Sequence, residues 1–137
     1  MPSDQHVLRF PGTRAGFENA AAALRGVLDA RGLSDGPRYN VELAFEEVAT
    51  NIIRHGSPHG DVEVVIAFSE HEIVLTFDDD GAAFDPREHP APAVPASIDE
   101  AAPGGLGLVL VRKVTSRMTY ERTSQHRNHL TLAISAR

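Results

Sequence analysis

The chain has 137 residues, of which 42% are apolar and 23% are charged, and its formal net charge is −6. This length is typical of one domain with its own core, and the lack of cysteine excludes disulfides and thiolate chemistry. The acidic balance argues against direct nucleic-acid binding, and no segment predicts a membrane span or a secretory leader. We therefore expect a single cytoplasmic domain over residues 1–137.

The first third of the chain predicts a strand and two helices. Residues 7–10 form the strand, and Thr13 is the candidate N-cap of a helix that Gly32 ends. A loop over residues 34–37 leads to the second helix. Its apolar residues recur at i, i+3, i+4, i+7 and i+11, which is one helical stripe: Val41, Ala44, Phe45, Val48 and Ile52.

The second helix carries Glu47 and Asn51 four residues apart, on one face. At about 100° per residue, both lie at the edge of the apolar stripe, whereas Glu46 points away from it. A carboxylate can accept a proton, and a carboxamide oxygen can coordinate Mg²⁺. Taken alone, the pair is more typical of a solvated helix face, so this interpretation depends on the segments that follow.

Two alternating apolar segments, residues 62–68 and 73–77, predict a hairpin with a turn between them. The second strand runs directly into three aspartates and Gly81. Strand alternation alone leaves open which of the three points inward. The candidates are Asp78, Asp79 and Asp80.

Residues 85–103 contain five of the nine prolines and show little periodicity. A loop of this length is usually functional or disordered, and its position between two glycine-bearing segments favours a mobile lid over an insertion without a role. A helix then starts at Gly104 and Gly105, and residues 118–134 predict a last hairpin. This order predicts an α+β fold, a two-layer α/β sandwich with three helices on one face of a mixed, mostly antiparallel sheet.

Three segments, in this order, resemble the GHKL ATPases, whose domain is called the Bergerat fold, and most of all their serine-kinase anti-sigma factors typified by RsbW and SpoIIAB. Residues 47–55, EVATNIIRH, are similar to the N box, E-x-x-T-N-x-x-x-H. Residues 79–86, DDGAAFDP, are similar to the G1 box, D-x-G-x-x-F-D-P, and residues 104–113 to the G2 box. Residues 128–132, NHLTL, are similar to the family's closing strand.

The resemblance implies ATP or ADP with Mg²⁺ as ligands. It implies that Glu47 is the general base, that Asn51 binds Mg²⁺ and the nucleotide, and that Asp79 accepts a hydrogen bond from the adenine amino group. A buried carboxylate is a strong acceptor, and glycines at a helix start let the backbone approach phosphate. The other implied nucleotide-binding residues are His55, Gly81, Phe84, Gly104, Gly105, Leu106, Gly107, Leu108 and Thr131.

Two positions depart from the family pattern. Ala83 stands where the G1 box often has a second glycine, and Pro103 stands where well-known members carry an arginine that reaches the γ-phosphate. The second departure affects kinase turnover more than nucleotide binding.

His55 and His59 are four residues apart, but Gly56 and Pro58 interrupt the helix between them. This argues against a zinc site at the two histidines.

The function implied by the resemblance is that of an anti-sigma factor and serine/threonine protein kinase. It would sequester a sigma factor or a similar client and phosphorylate a STAS-domain anti-anti-sigma protein, in a homodimer assembled near residues 7–10. The alternative is an ATP-binding regulatory module that binds partners without phosphorylating them. The ATP-binding domain of a histidine kinase is less favoured, because no dimerisation helices with a phospho-acceptor histidine are apparent.

Overall fold

A computed structural model of the chain describes residues 4–87 and 105–137. Within these ranges lie five strands, three helices and a π-helical turn, Ile52–Gly56, that continues the second helix. The order of elements agrees with the order predicted from the sequence. In chain order the strands and helices are β1 Asp4–Pro11, α1 Arg14–Arg31, α2 Asp35–Asn51, β2 Asp61–Phe68, β3 Glu72–Asp79, α3 Gly105–Val114, β4 Arg117–Arg122 and β5 Asn128–Ser135.

The strands form one sheet in the order β1-β2-β3-β5-β4. All four pairings between these described strands are antiparallel. The predicted α+β sandwich is confirmed, and its sheet is antiparallel throughout the described strands rather than mixed. β5 lies between β3 and β4, so the end of β3 is a direct neighbour of the start of β5.

The core lies between the helices and one face of the sheet, which alternating residues of β2, β3 and β5 supply. Phe45 of α2 is at its centre, with ring centroids 6.1 Å from Phe10, 5.8 Å from Phe17 and 6.2 Å from Phe77. Such aromatic pairs contribute about 0.5–1.5 kcal/mol each beyond their buried area. The predicted apolar stripe of α2 is buried along its whole length.

The helix ends follow local sequence rules, with one exception. The Thr13 hydroxyl accepts a hydrogen bond from the Gly16 amide at 3.0 Å, and Gly32 ends α1 with φ of 71°. The predicted loop over residues 34–37 is wrong, because α2 already begins at Asp35. Pro37 therefore lies in the first helical turn, where a missing backbone N–H has no intrahelical partner to lose.

None of the helices within the described ranges has the length and apolar character that crossing a bilayer requires.

Candidate functional site

Glu47 lies on the side of α2 that faces α3, and its side chain is partly buried, whereas Glu46 is exposed. The helix register predicted from the sequence therefore holds for this pair. Burial raises the pKa of the Glu47 carboxyl, the neighbouring Glu46 charge raises it further, and Arg54 lowers it. A carboxylate with a raised pKa is a better proton acceptor near neutral pH than an exposed one.

Gly107, in the first turn of α3, lies directly against the Glu47 carboxylate. A Cβ built on Gly107 would overlap the carboxylate oxygen and would stand 3.0 Å from the Glu47 Cγ. With any other residue at this position, the Glu47 side chain would have to move from where it lies. The contact joins the predicted N box to the predicted G2 box, two segments that are far apart in the sequence.

Asn51 is 3% exposed at the last position of α2. Its Nδ2 donates to the Glu47 carbonyl at 2.6 Å. No donor among the described residues reaches its Oδ1, so this oxygen is available to a cation. The π-helical turn begins at the next residue, and such turns occur frequently at functional sites.

Asp79 is the aspartate that points inward. It is 2% exposed at the end of β3, on the core face of the sheet. Its Oδ1 accepts hydrogen bonds from the Gly81 amide at 2.8 Å and from Asn128 Nδ2 at 3.1 Å. Burial raises the pKa of Asp79, and these two hydrogen bonds lower it. No donor among the described residues reaches Oδ2, and no buried side-chain oxygen among them lacks a partner, so Oδ2 is an accessible acceptor for a ligand.

The segment after β3 packs on the π-helical turn. The Ala82 amide donates to the Gly56 carbonyl at 2.8 Å, and a Cβ on Gly81 would lie 2.5 Å from that same oxygen. The close approach explains the glycine at position 81. The rings of His55 and Phe84 stack nearby, with centroids 5.2 Å apart, so these two predicted site residues share one rim.

Asp80 has a structural role that the sequence analysis missed. Its carboxylate accepts hydrogen bonds from the amides of His59 at 2.9 Å and Gly60 at 3.0 Å, and these bonds lower its pKa. They hold the loop after the π-helical turn, where Ser57 has a left-handed φ of 46°. Nothing in the local sequence indicates this pairing, because the partners lie on different elements.

The structure contradicts the predicted place of Thr131. On β5, Asn128, Leu130 and Leu132 face the core, so Thr131 belongs to the opposite face. It pairs there with Thr76 of β3 and does not reach the Asp79 pocket. Asn128 is the β5 residue directly opposite Asp79.

Part of the predicted site lies outside the described residues. This applies to Gly104, to Pro103 and to most of the predicted lid at residues 85–103. Gly105 and Leu106 begin α3, and Leu108 is 3% exposed. Arg112 of α3 donates to the carbonyl of Pro86.

Residues 10–134 match the family described as the histidine kinase-like ATPase domain. The chain belongs to this family. It is also similar to the serine/threonine-protein kinase BtrW of Bordetella bronchiseptica, at 34% identity over 98 residues, which cover 69% of this chain and 68% of BtrW. The resemblance to GHKL anti-sigma kinase-like proteins is confirmed. At the level of the family, the match indicates a nucleotide-binding, kinase-like domain.

Two solved structures share the fold of this histidine kinase-like ATPase domain. The RsbU and RsbW domains of a Mycobacterium tuberculosis protein give a TM-score of 0.68 at 16% identity over 98% of this chain, which spans 33% of that longer chain. The SiaB–SiaC complex of Pseudomonas aeruginosa gives a TM-score of 0.67 at 21% identity, over 94% of this chain and 88% of the matched chain. These likenesses concern the fold alone.

Proposed function

We propose that this protein is an ATP-dependent serine/threonine kinase of a partner-switching system. It holds a sigma factor or a similar client and phosphorylates a STAS-domain antagonist of that complex. The contact between Glu47 and Gly107 carries the proposal. It brings a partly buried proton acceptor against the first turn of α3, and a helix N-terminus is a favourable place for phosphate.

The described residues fit an adenine nucleotide. The Asp79 Oδ2 is an accessible acceptor without a donor among the described residues, and an adenine amino group would supply one. A charge-assisted hydrogen bond of this kind is roughly twice as strong as a neutral one. The glycines at 81 and 107 permit close contacts with the Gly56 carbonyl and the Glu47 carboxylate, which hold the segments of the proposed site together.

The same residues fit Mg²⁺ held in part by the nucleotide. Within the described ranges, no three histidine, aspartate or glutamate side chains converge on a metal position. Mg²⁺ at nucleotide sites is commonly bound through one or two protein ligands, with phosphate oxygens and water completing the shell. Asn51 Oδ1 would be such a ligand, since Nδ2 is engaged by the Glu47 carbonyl.

Bound ATP would supply the γ-phosphoryl group, whose bond to the bridging oxygen would break as the hydroxyl oxygen attacks, so that ADP leaves. Mg²⁺ would offset part of the phosphate charge. Glu47 accepts the proton of the serine or threonine hydroxyl on the antagonist, which makes that oxygen a nucleophile. Burial raises the pKa of Glu47, so this proton transfer is more favourable than at an exposed glutamate. Asp79 holds the base end of the nucleotide, away from the reacting atoms.

The partners are inferred from the relatives. BtrW is a serine/threonine-protein kinase, and SiaB is seen in a complex with a second protein, SiaC. We infer that the antagonist and the client compete for overlapping surface near the lid. We also place a homodimer at the β1 edge of the sheet, where Val7 is 56% exposed.

The test is phosphoryl transfer from labelled ATP to a STAS-domain protein of the same genome, with Mg²⁺ present. Transfer is expected with the unmodified protein and with Glu46→Gln, and it should be lost with Glu47→Gln. Calorimetry should show that all three proteins bind ADP with similar affinity. Loss of transfer in Glu46→Gln but not in Glu47→Gln would overturn the assignment of the base.

One other outcome distinguishes a kinase from an ATP-binding regulatory module. ADP binding without transfer to any STAS-domain protein would favour the alternative of an ATP-binding regulatory module. The sequence feature that favours this alternative is Pro103 in place of an arginine. Failure of the unmodified protein to bind any adenine nucleotide would overturn both functions.

A further inference from the structure

Asn128 is buried between the last strand and the segment that follows β3. It is 5% exposed and stands directly opposite Asp79 in the register of β3 and β5. Its Nδ2 donates to Asp79 Oδ1 at 3.1 Å and to the Ala82 carbonyl at 2.9 Å. Its Oδ1 accepts from the Tyr120 hydroxyl and from Arg122 at 3.1 Å.

These partners permit one orientation of the Asn128 amide. Nδ2 faces acceptors and Oδ1 faces Arg122. Rotation by 180° would place the oxygen against the Asp79 carboxylate and the nitrogen against the Arg122 guanidinium, which cannot accept a hydrogen bond. Leaving buried polar groups without partners in this way is strongly unfavourable. The orientation of the Asn128 amide is therefore fixed, with the donor Nδ2 facing Asp79.

Tyr120 of β4 contributes its hydroxyl to this network, and replacement by phenylalanine removes the hydroxyl while keeping the ring. The Phe84 amide hydrogen bonds to its phenol oxygen, which leaves the single hydroxyl proton for Asn128. Burial raises the pKa of Tyr120, so the hydroxyl keeps its proton at neutral pH. Tyr120 thus connects β4, β5 and the segment after β3 through one hydroxyl.

We propose that Tyr120 and Asn128 are positioning residues that set the base preference of the site. They direct the Asn128 amide donor to Asp79 Oδ1, beside the Gly81 amide, and so leave Oδ2 as the acceptor for the ligand. Adenine presents an amino group to such an acceptor, whereas guanine carries a carbonyl oxygen at the same ring position. A site built to accept a donor rejects a ligand that lacks it, because the buried acceptor is left unpaired. The inference rests on the proposed nucleotide binding.

The first test replaces Tyr120 by phenylalanine and measures ADP and GDP affinity by calorimetry. The variant loses one neutral hydrogen bond to Asn128 Oδ1 and keeps the one from Arg122, so the amide is held less firmly in its orientation. ADP affinity should fall about 3- to 10-fold, with GDP affinity less affected, so that the ADP:GDP ratio falls. Tyr39→Phe is the matched control, because Tyr39 is 62% exposed on α2, and its affinities should not change.

The second test, Asn128→Asp, gives a readout that a purely structural role would not. Two facing carboxylates cannot both ionise cheaply, so the variant should bind ADP about 10- to 100-fold more weakly at about pH 8. At about pH 5.5 the pair shares one proton, which restores a donor toward Asp79. The deficit relative to the unmodified protein should therefore shrink as pH falls. Asn19→Asp, on the exposed side of α1, is the control.

Thermal unfolding of each variant confirms that it is folded before affinities are compared. An unchanged ADP:GDP ratio in Tyr120→Phe, or a deficit in Asn128→Asp that does not vary with pH, would overturn the positioning role and leave the proposed kinase standing. If the unmodified protein bound neither nucleotide, the proposed function would fail as well. A lower ratio together with recovery at low pH supports the inference.

Discussion

Gly107 and Glu47 approach each other so closely that a Cβ on Gly107 would overlap the Glu47 carboxylate. The contact fixes α3 against the side of α2 that carries the proposed base. It also explains why a flexible residue occurs inside the first turn of a helix, where glycine costs about 1 kcal/mol relative to alanine. The glycine is thus accounted for by a tertiary contact with the Glu47 side chain as it lies here, and its backbone does not adopt the left-handed φ that favours glycine.

Gly107→Ala should therefore impair catalysis although alanine is the better helix former. The new methyl group must displace either the Glu47 side chain or the start of α3. Because a displacement of about 1 Å can cost about 100-fold in rate, we expect a loss of phosphoryl transfer of that order. Steady-state transfer rates and ADP affinity should be measured together.

Gly26→Ala is the matched control for this substitution. A Cβ on Gly26, in the middle of α1, meets no atom within 4 Å. The change should stabilise the protein by about 1 kcal/mol and leave transfer intact. Equal transfer rates in both alanine variants would show that the space at Gly107 is not needed for the reaction.

Asp79→Asn should weaken ADP binding by about 10- to 100-fold, since a charge-assisted hydrogen bond contributes about 1.5–3 kcal/mol. Gly81 and Asn128 direct donors at Oδ1, so the new amide must place its oxygen there. Its NH₂ then faces the ligand donor. Calorimetry measures the change, with Asp78→Asn, which loses a partly exposed ion pair to Arg127, as the control. Unchanged ADP affinity in Asp79→Asn would contradict the assignment.

Glu47→Gln should raise the thermal stability of the protein near pH 7. The folded-state pKa of Glu47 lies above its reference value of 4.5, so the fold binds the protonated carboxyl more tightly than the ionised one. The unmodified protein therefore loses stability as pH rises through that folded pKa. Glutamine does not ionise and so avoids this loss. The difference in stability between Glu47→Gln and the unmodified protein should disappear below about pH 4.5, where Glu47 is protonated in the folded and unfolded states.

Thermal melts across this pH range measure the effect, and Glu46→Gln, at an exposed position, should show a smaller one. A stability gap for Glu47→Gln that persists unchanged in acid would mean that carboxylate burial is not its cause. If Glu47→Gln raises stability and abolishes phosphoryl transfer, then Glu47 is retained for catalysis at the expense of stability.

Val7→Lys should weaken the proposed homodimer. Val7 is an exposed apolar residue on the edge strand β1, and a lysine there opposes edge-to-edge pairing. Light scattering after size-exclusion chromatography should give a dimer for the unmodified protein and a shift toward monomer for the variant. A dimer of equal stability in both would place the interface elsewhere.

Periodicity in the sequence was sufficient to predict most of the local structure. The stripe of α2 placed Glu47 and Asn51 at its edge, and Thr13 and Gly32 marked the ends of α1. Alternating residues gave both hairpins. These features depend on residues only a few positions apart in the sequence. The order of the three motifs indicated the family. The one local error, the start of α2, concerns Pro37, which is as compatible with a first helical turn as with a loop.

Only the tertiary structure decided which side chains meet at the proposed base pocket. Asp79 is selected over its neighbours by the strand face that packs on the helices, and the same alternation excludes Thr131. The partner of Asp79 is Asn128, 49 residues away, and a one-residue change in register would reverse the faces of that strand. Contacts set by the pairing of distant strands leave no local signal, so the network from Tyr120 to Asp79 is visible only in the folded chain.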